Sequence, residues 1–218
     1  MKTTLTVLTA FATLTTAHFN LDYPAARGFD EDKLVTFPCG SFDTPSSNRT
    51  SWPISGGSIA LTMGHINTNI EVLIAVGNDV GSAFNTVLRP TFAETGLGAF
   101  CMTDFTLPSG LNVTDGTNAT IQVITNGDPD GGLYNCADIT FTSAAAAPAS
   151  GVCTNNTGVA TSASTVTGNP NGTTASTTTS SSAASATTSK SAAMVMNAGM
   201  GGPGGLVVAA GAAMAMVL

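Results

Sequence analysis

Leu133-Tyr134-Asn135-Cys136-Ala137-Asp138-Ile139-Thr140-Phe141-Thr142 alternates between two kinds of side chain. Successive strand residues point to opposite sides, so Ala137, Ile139 and Phe141 share one face and Tyr134, Cys136, Asp138 and Thr140 the other. The apolar face reads as the core face of a strand, and Asp138 as a carboxylate on the opposite one, where a solvated strand acid is the plainest reading. Five further runs rich in Val, Ile, Thr and Phe lie at 58–63, 70–76, 86–88, 99–105 and 119–125. Turn formers separate them, as in Ile54-Ser55-Gly56-Gly57 and Asn126-Gly127-Asp128-Pro129-Asp130-Gly131-Gly132. Short strands at this spacing predict an all-β fold, an antiparallel β-sandwich of immunoglobulin or fibronectin type. No segment keeps a 3.6-residue period, and 78–85 offers at most one turn of helix.

The rest of the 218 residues divides by composition. Residues 1–17 read as a secretory signal: Lys2 supplies the positive charge, 5–14 the short apolar run, and Thr15-Thr16-Ala17 the small-residue cleavage site. The folded domain is expected over 18–153. All thirteen acidic residues fall between Asp22 and Asp138, where Arg27, Lys33, Arg49 and Arg89 are the only Lys or Arg side chains, so this segment is more acidic than the whole chain at −7. Such a surface disfavours nucleic acid and suits cations or neutral partners. From 154 to 196 the chain is mostly Thr, Ser, Ala and Gly, too poor in large apolar side chains to offset the entropy of ordering, and reads as a disordered, O-glycosylated stalk. Residues 197–218 fit a GPI-attachment signal, with Asn197 as the attachment site and Ser191 or Gly199 as alternatives. The product is then expected on the extracellular face of the plasma membrane, held by lipid.

Four cysteines in a secreted domain imply two disulfides with three possible pairings, of which Cys39–Cys136 with Cys101–Cys153 is preferred. Sequons at Asn48, Asn112, Asn118, Asn155 and Asn171 predict N-glycosylated surface loops. No CxxC pair, GxSxG elbow or glycine-rich phosphate loop is present, so thiolate zinc sites, serine hydrolases of that type and nucleotide binding have no sequence support.

What remains is histidine chemistry. The chain has two histidines, and cleavage after Ala17 makes His18 the first residue of the mature protein. A terminal histidine offers its α-amine and its imidazole Nδ1 to one metal. With the imidazole of His65, three nitrogens can surround copper in the arrangement called a histidine brace. A histidine also reaches this position by chance, and His65 alone reads as a loop histidine. Met63, two residues before His65, could serve as a soft Cu(I) ligand, although core packing is the ordinary role of such a methionine. Asp128 and Asp130 read first as turn formers and second as fallback carboxylate ligands.

The stretch His18-Phe19-Asn20-Leu21-Asp22-Tyr23-Pro24-Ala25-Ala26-Arg27-Gly28-Phe29 resembles the mature N-terminus of fungal proteins related to lytic polysaccharide monooxygenases, the copper acquisition factor type. The resemblance continues through Phe37-Pro38-Cys39-Gly40, Met63-Gly64-His65, Gly98-Ala99-Phe100-Cys101 and Tyr134-Asn135-Cys136-Ala137-Asp138-Ile139. It implies one Cu(II) ion per ectodomain bound by His18, His65 and an aspartate, carried onto Asp138 with Asp130 next. It also implies a monomeric cell-surface protein that acquires or handles copper, or serves wall and host interaction, without cleaving polysaccharide. Partners implied are copper, a membrane copper transporter or cell-wall glycans. The competing expectations are an active copper polysaccharide monooxygenase and a metal-free GPI-anchored wall glycoprotein. Amine, imidazole and carboxylate donors suit Cu(II), and protons compete for them, so affinity is expected to fall on acidification.

Overall fold

A computed structural model describes residues 18–126, 132–166 and 168. Among the described residues nine strands form two sheets: β1 (Phe19–Tyr23), β2 (Thr50–Trp52), β3 (Ser55–Met63), β4 (Asn67–Val76), β5 (Thr86–Thr95), β6 (Gly98–Thr106), β7 (Asn118–Asn126), β8 (Gly132–Phe141) and β9 (Ala160–Ala163). One sheet has the order β1-β3-β6 and the other β2-β8-β7-β4-β5-β9. All pairings are antiparallel except β2 with β8, which is parallel. The expected sandwich is therefore the observed architecture. The six expected strands all form, and the stretch 78–85 makes turns and bends with no helix.

Alternation explains the core. Ile59, Leu61 and Met63 of β3 with Phe100 and Met102 of β6 face Ile70, Val72 and Ile74 of β4, Ile121 and Val123 of β7, and Ala137, Ile139 and Phe141 of β8. Trp52 closes one side of this layer, wholly buried and edge-on to Phe141, with its indole N–H donating to the Ser58 carbonyl at 3.1 Å. Met63 is 3% exposed and belongs to this core, which settles its role as packing.

The outer face of β8 is covered rather than solvated. The connection from β1 to β2 runs along the β8 edge opposite β7, where Ala26 bridges to Ala137, Arg27 N–H donates to Cys136 O (2.8 Å) and Tyr134 N–H donates to Leu34 O (2.8 Å), and from there it folds over the face. Gln122 Nε2 donates to Pro38 O at 2.7 Å, and the Cys39–Cys136 disulfide ties this strap to the sheet. The second disulfide, Cys101–Cys153, joins β6 to the segment before β9.

Order also extends past the expected end of the domain at 153. β9 lies within the stretch expected to be stalk and pairs with β5 from Phe92↔Ala163 to Thr95↔Ala160. Its side chains are all exposed. It is recruited through backbone hydrogen bonds, which composition does not report, and it covers an otherwise open sheet edge. Stalk residues 167 and 169–196, the signal and the GPI region lie outside the described residues.

Candidate metal centre

One end of the sandwich collects the histidines because of register. His18 precedes β1, whose first residue Phe19 pairs with Met63 at the end of β3. One step further, the Gly64 N–H donates to the His18 carbonyl at 2.9 Å. His65 follows at once in the connection to β4. Two histidines 47 positions apart in sequence thus belong to one end of the three-stranded sheet. The β7–β8 connection starts from the same end, since β4 pairs Ile70 with Thr125 and β7 pairs Asn126 with Gly132. Asn126 Oδ1 also accepts from Asn69 N–H at 2.6 Å, closing this end of the six-stranded sheet. Asp128 and Asp130 belong to that connection, at positions outside the described residues.

The two rings are held differently. His65 Nδ1 lies 3.0 Å from the Asn67 carbonyl. A carbonyl only accepts, so this contact places the proton on Nδ1 and leaves the lone pair on Nε2, the usual way a protein orients a ligating imidazole. His18 Nδ1 is buried and makes no hydrogen bond among the described residues. It stands 2.7 Å from Glu31 Oε1. A buried ring nitrogen without a hydrogen bond is costly unless something else uses its lone pair. The donor types at this end are ones that suit a metal: the His18 Nδ1, a second imidazole oriented by a carbonyl and the Glu31 carboxylate. Among the described residues no three of His, Cys, Asp and Glu come together as a ready-made metal cluster.

Asp138 is not brought to the histidines. It sits six residues into β8 from Gly132, roughly 20 Å from that end at the usual strand rise. Its carboxylate is wholly enclosed. Arg27 Nε donates to Oδ2 at 2.8 Å and Arg27 Nη2 to Oδ1 at 2.9 Å. The Ser46 N–H adds a contact of 2.6 Å to Oδ2, and Thr120 Oγ1 one of 2.6 Å to Oδ1. Arg49 Nη1 lies 3.6 Å from Oδ1. Burial pushes this carboxyl up, but the bonds from Arg27, Thr120 and Ser46 and the Arg27 charge outweigh it and hold the group below its ordinary value. Asp138, expected as a copper ligand with a solvated strand acid as the plainest reading, is buried as the anionic half of an ion pair with Arg27.

Glu31, which the sequence reading did not single out, is the carboxylate that stands beside His18. It occupies a 3-10 turn, η1 (Glu31–Lys33), capped by Asp30, whose side chain accepts from Asp32 N–H. Local sequence shows an acidic run at 30–32 but nothing about which acid turns toward His18. Of the sequons, Asn48, Asn112 and Asn155 are exposed. Asn118 instead opens β7, half-buried, with its amide bonded to Asn78 and Thr140; Asn171 lies outside the described residues.

The fold is a small, mostly antiparallel β-sandwich with one histidine before the first strand of a pair and the other after the end of its partner strand. Comparison with known proteins specifies it further. A family model described as copper acquisition factor BIM1-like matches residues 16–158, and the chain belongs to this family. It is 50% identical over 164 residues to an uncharacterised protein of Aspergillus fumigatus (73% of this chain, 67% of the relative). It is 32% identical to the lytic polysaccharide monooxygenase-like protein ham-7 of Neurospora crassa (65% and 71%). It is 30% identical to copper acquisition factor BIM1 of Cryptococcus neoformans (67% and 70%).

Proposed function

We propose that the mature chain binds one Cu(II) ion through a histidine brace and serves copper acquisition or handling at the cell surface. The nitrogens are the His18 α-amine, His18 Nδ1 and His65 Nε2. The observation that carries this reading is the Gly64–His18 hydrogen bond at 2.9 Å, which sets both histidines at one end with His18 Nδ1 buried and unbonded. The aspartate expected from the resemblance is taken as Asp130, because the β7–β8 connection starts from that end whereas Asp138 is enclosed by Arg27. The amine and imidazoles bind when deprotonated, and the Asn67 carbonyl keeps the His65 lone pair on Nε2.

The reading is of a carrier rather than an oxidase of polysaccharide. Trp52, the single tryptophan, is in the core and unavailable for stacking on sugar rings, and Tyr134 packs edge-on against Phe37. The GPI signal expected around Asn197 and the expected glycosylated stalk support a location outside the plasma membrane, with a copper transporter as the natural recipient.

The test is Cu(II) titration and EPR on the mature chain, made with a native His18 terminus and with one extra residue before it. A tight one-to-one site with nitrogen hyperfine structure, lost in the extended form, is expected. Equal and weak binding by both forms rejects the brace.

A further inference from the structure

The carboxylates of the turn at 30–32 do different things. Asp30 caps the turn and pairs with Lys33 Nζ at 2.7 Å, and these contacts hold its carboxyl below the ordinary range. Glu31 faces the other way, and among the described residues its ion-pair partner is His18, at 2.7 Å from Nδ1. The depression around His18 is walled by Phe29, Thr62 and Gly64, and Glu31 is its carboxylate. Thr62 is already committed elsewhere, donating to Asp22 Oδ2 at 2.7 Å.

The Glu31–His18 contact is short yet is not aligned as a hydrogen bond, since Nδ1 has no hydrogen-bond partner among the described residues. A misaligned donor and acceptor at this range gain little for the desolvation of both. Two donors that share a cation meet a different condition. With each about 2.0 Å from a first-row divalent ion, neighbouring donors at right angles stand about 2.8 Å apart, with their lone pairs directed at the ion rather than at each other. The spacing and the misalignment of Nδ1 and Oε1 both match that case.

We propose that Glu31 supplies a carboxylate oxygen to the copper bound at His18, as a ligand additional to the brace nitrogens. The inference rests on the brace reading above and deepens it. An anionic oxygen donor favours Cu(II) over the softer Cu(I). The Glu31 side chain is 44% exposed, so it also offers an incoming cation its first contact with the site.

The experiment compares the mature wild-type chain with Glu31→Gln, Glu31→Asp and His65→Ala by Cu(II) competition titration and EPR, with circular dichroism to verify folding. Glu31→Gln is expected to weaken Cu(II) binding about ten- to a hundredfold and to change the EPR g and hyperfine values. Glu31→Asp, which keeps the charge one methylene short, is expected to fall between Gln and wild type, and it carries the test if the Gln variant fails to fold. A residue acting only by packing on the His18 ring would be replaced by Gln with affinity and spectrum unchanged, and that result overturns the proposal. If wild type binds tightly, His65→Ala weakens it and Glu31→Gln does not, Glu31 is rejected while the brace stands. If wild type has no tight Cu(II) site, the brace reading fails and the Glu31 ligand is overturned with it.

Discussion

Arg27 and Asp138 are joined by two parallel hydrogen bonds of 2.8 and 2.9 Å across 111 residues of sequence, with side chains 2% and 0% exposed. The guanidinium also donates through Nη1 to the Asp43 carbonyl at 2.9 Å. The pair therefore rivets the strap to the outer face of β8. Leaving one partner of such a buried pair uncompensated costs about 3–5 kcal/mol. Asp138→Asn is expected to lower stability to denaturant by that amount while leaving the number of bound copper ions unchanged under folding conditions. Loss of copper binding by a folded Asp138→Asn chain would contradict the separation of the pair from the metal centre.

The same pair shapes the acid limb of stability. A carboxyl held below its unfolded value near 4 contributes stability that is complete above that value and is lost as pH falls through the folded one. Unfolding free energy of wild type should drop steeply below about pH 4, and Asp138→Asn should flatten this limb. Urea denaturation between pH 2 and pH 6 measures it.

Glu94 on β5 predicts the opposite slope. It is wholly buried, neither carboxylate oxygen has a hydrogen-bond partner among the described residues, and burial pushes its pKa up to about 7. Its cross-strand neighbour Thr68 is buried with an equally unpartnered hydroxyl. The folded state holds a proton that the unfolded state, with a Glu value near 4.3, has released. Stability is thus full below about pH 4.3 and declines as pH rises toward 7. Glu94→Gln should remove most of that decline; Glu71, also raised by burial, accounts for a remainder. An unchanged slope in the Gln variant would refute the assignment.

Gly57 is required by Trp52. A Cβ on Gly57 would fall 2.1 Å from the indole Cζ2, and the rigid indole is enclosed on all sides. Gly57→Ala must therefore shift β3 or the indole, at a cost of about 1–3 kcal/mol. The unfolding midpoint and tryptophan fluorescence report it together, since Trp52 is the single tryptophan.

β9 has exposed side chains and depends on backbone bonds to β5 and on the tether at Cys153. Replacing Cys101 and Cys153 by serine is expected to cost about 2–4 kcal/mol. It should also release amide protection at 160–163 while β4 and β7 stay protected. Hydrogen exchange that leaves β9 as slow as in wild type would show the tether to be dispensable.

The strands were legible because their signal is local: alternation in 133–142 marks the same core face that the sandwich uses. β1, β2 and β9 were not, since a strand of three to five residues carries too few alternations to stand out, and β9 is bound by its backbone alone. Within the site, His18 and His65 stood out as the chain's two histidines, one at a cleavage point. Glu31 did not, because orientation within an acidic turn depends on what the turn packs against.

The sequence by itself determined the β class, the core face of each long strand and the histidine inventory, all of which follow from side-chain chemistry and a period of two. Tertiary structure decided which carboxylate meets which cation. Alternation assigned Asp138 to an outer face, but only the strap, arriving from more than a hundred positions away, turned that face into an interior and supplied Arg27. The register of β1 on β3 likewise brought His18 beside Gly64 and so to the end that carries His65. Such pairings are set by packing between segments remote in the chain, and a local pattern holds no record of its partner.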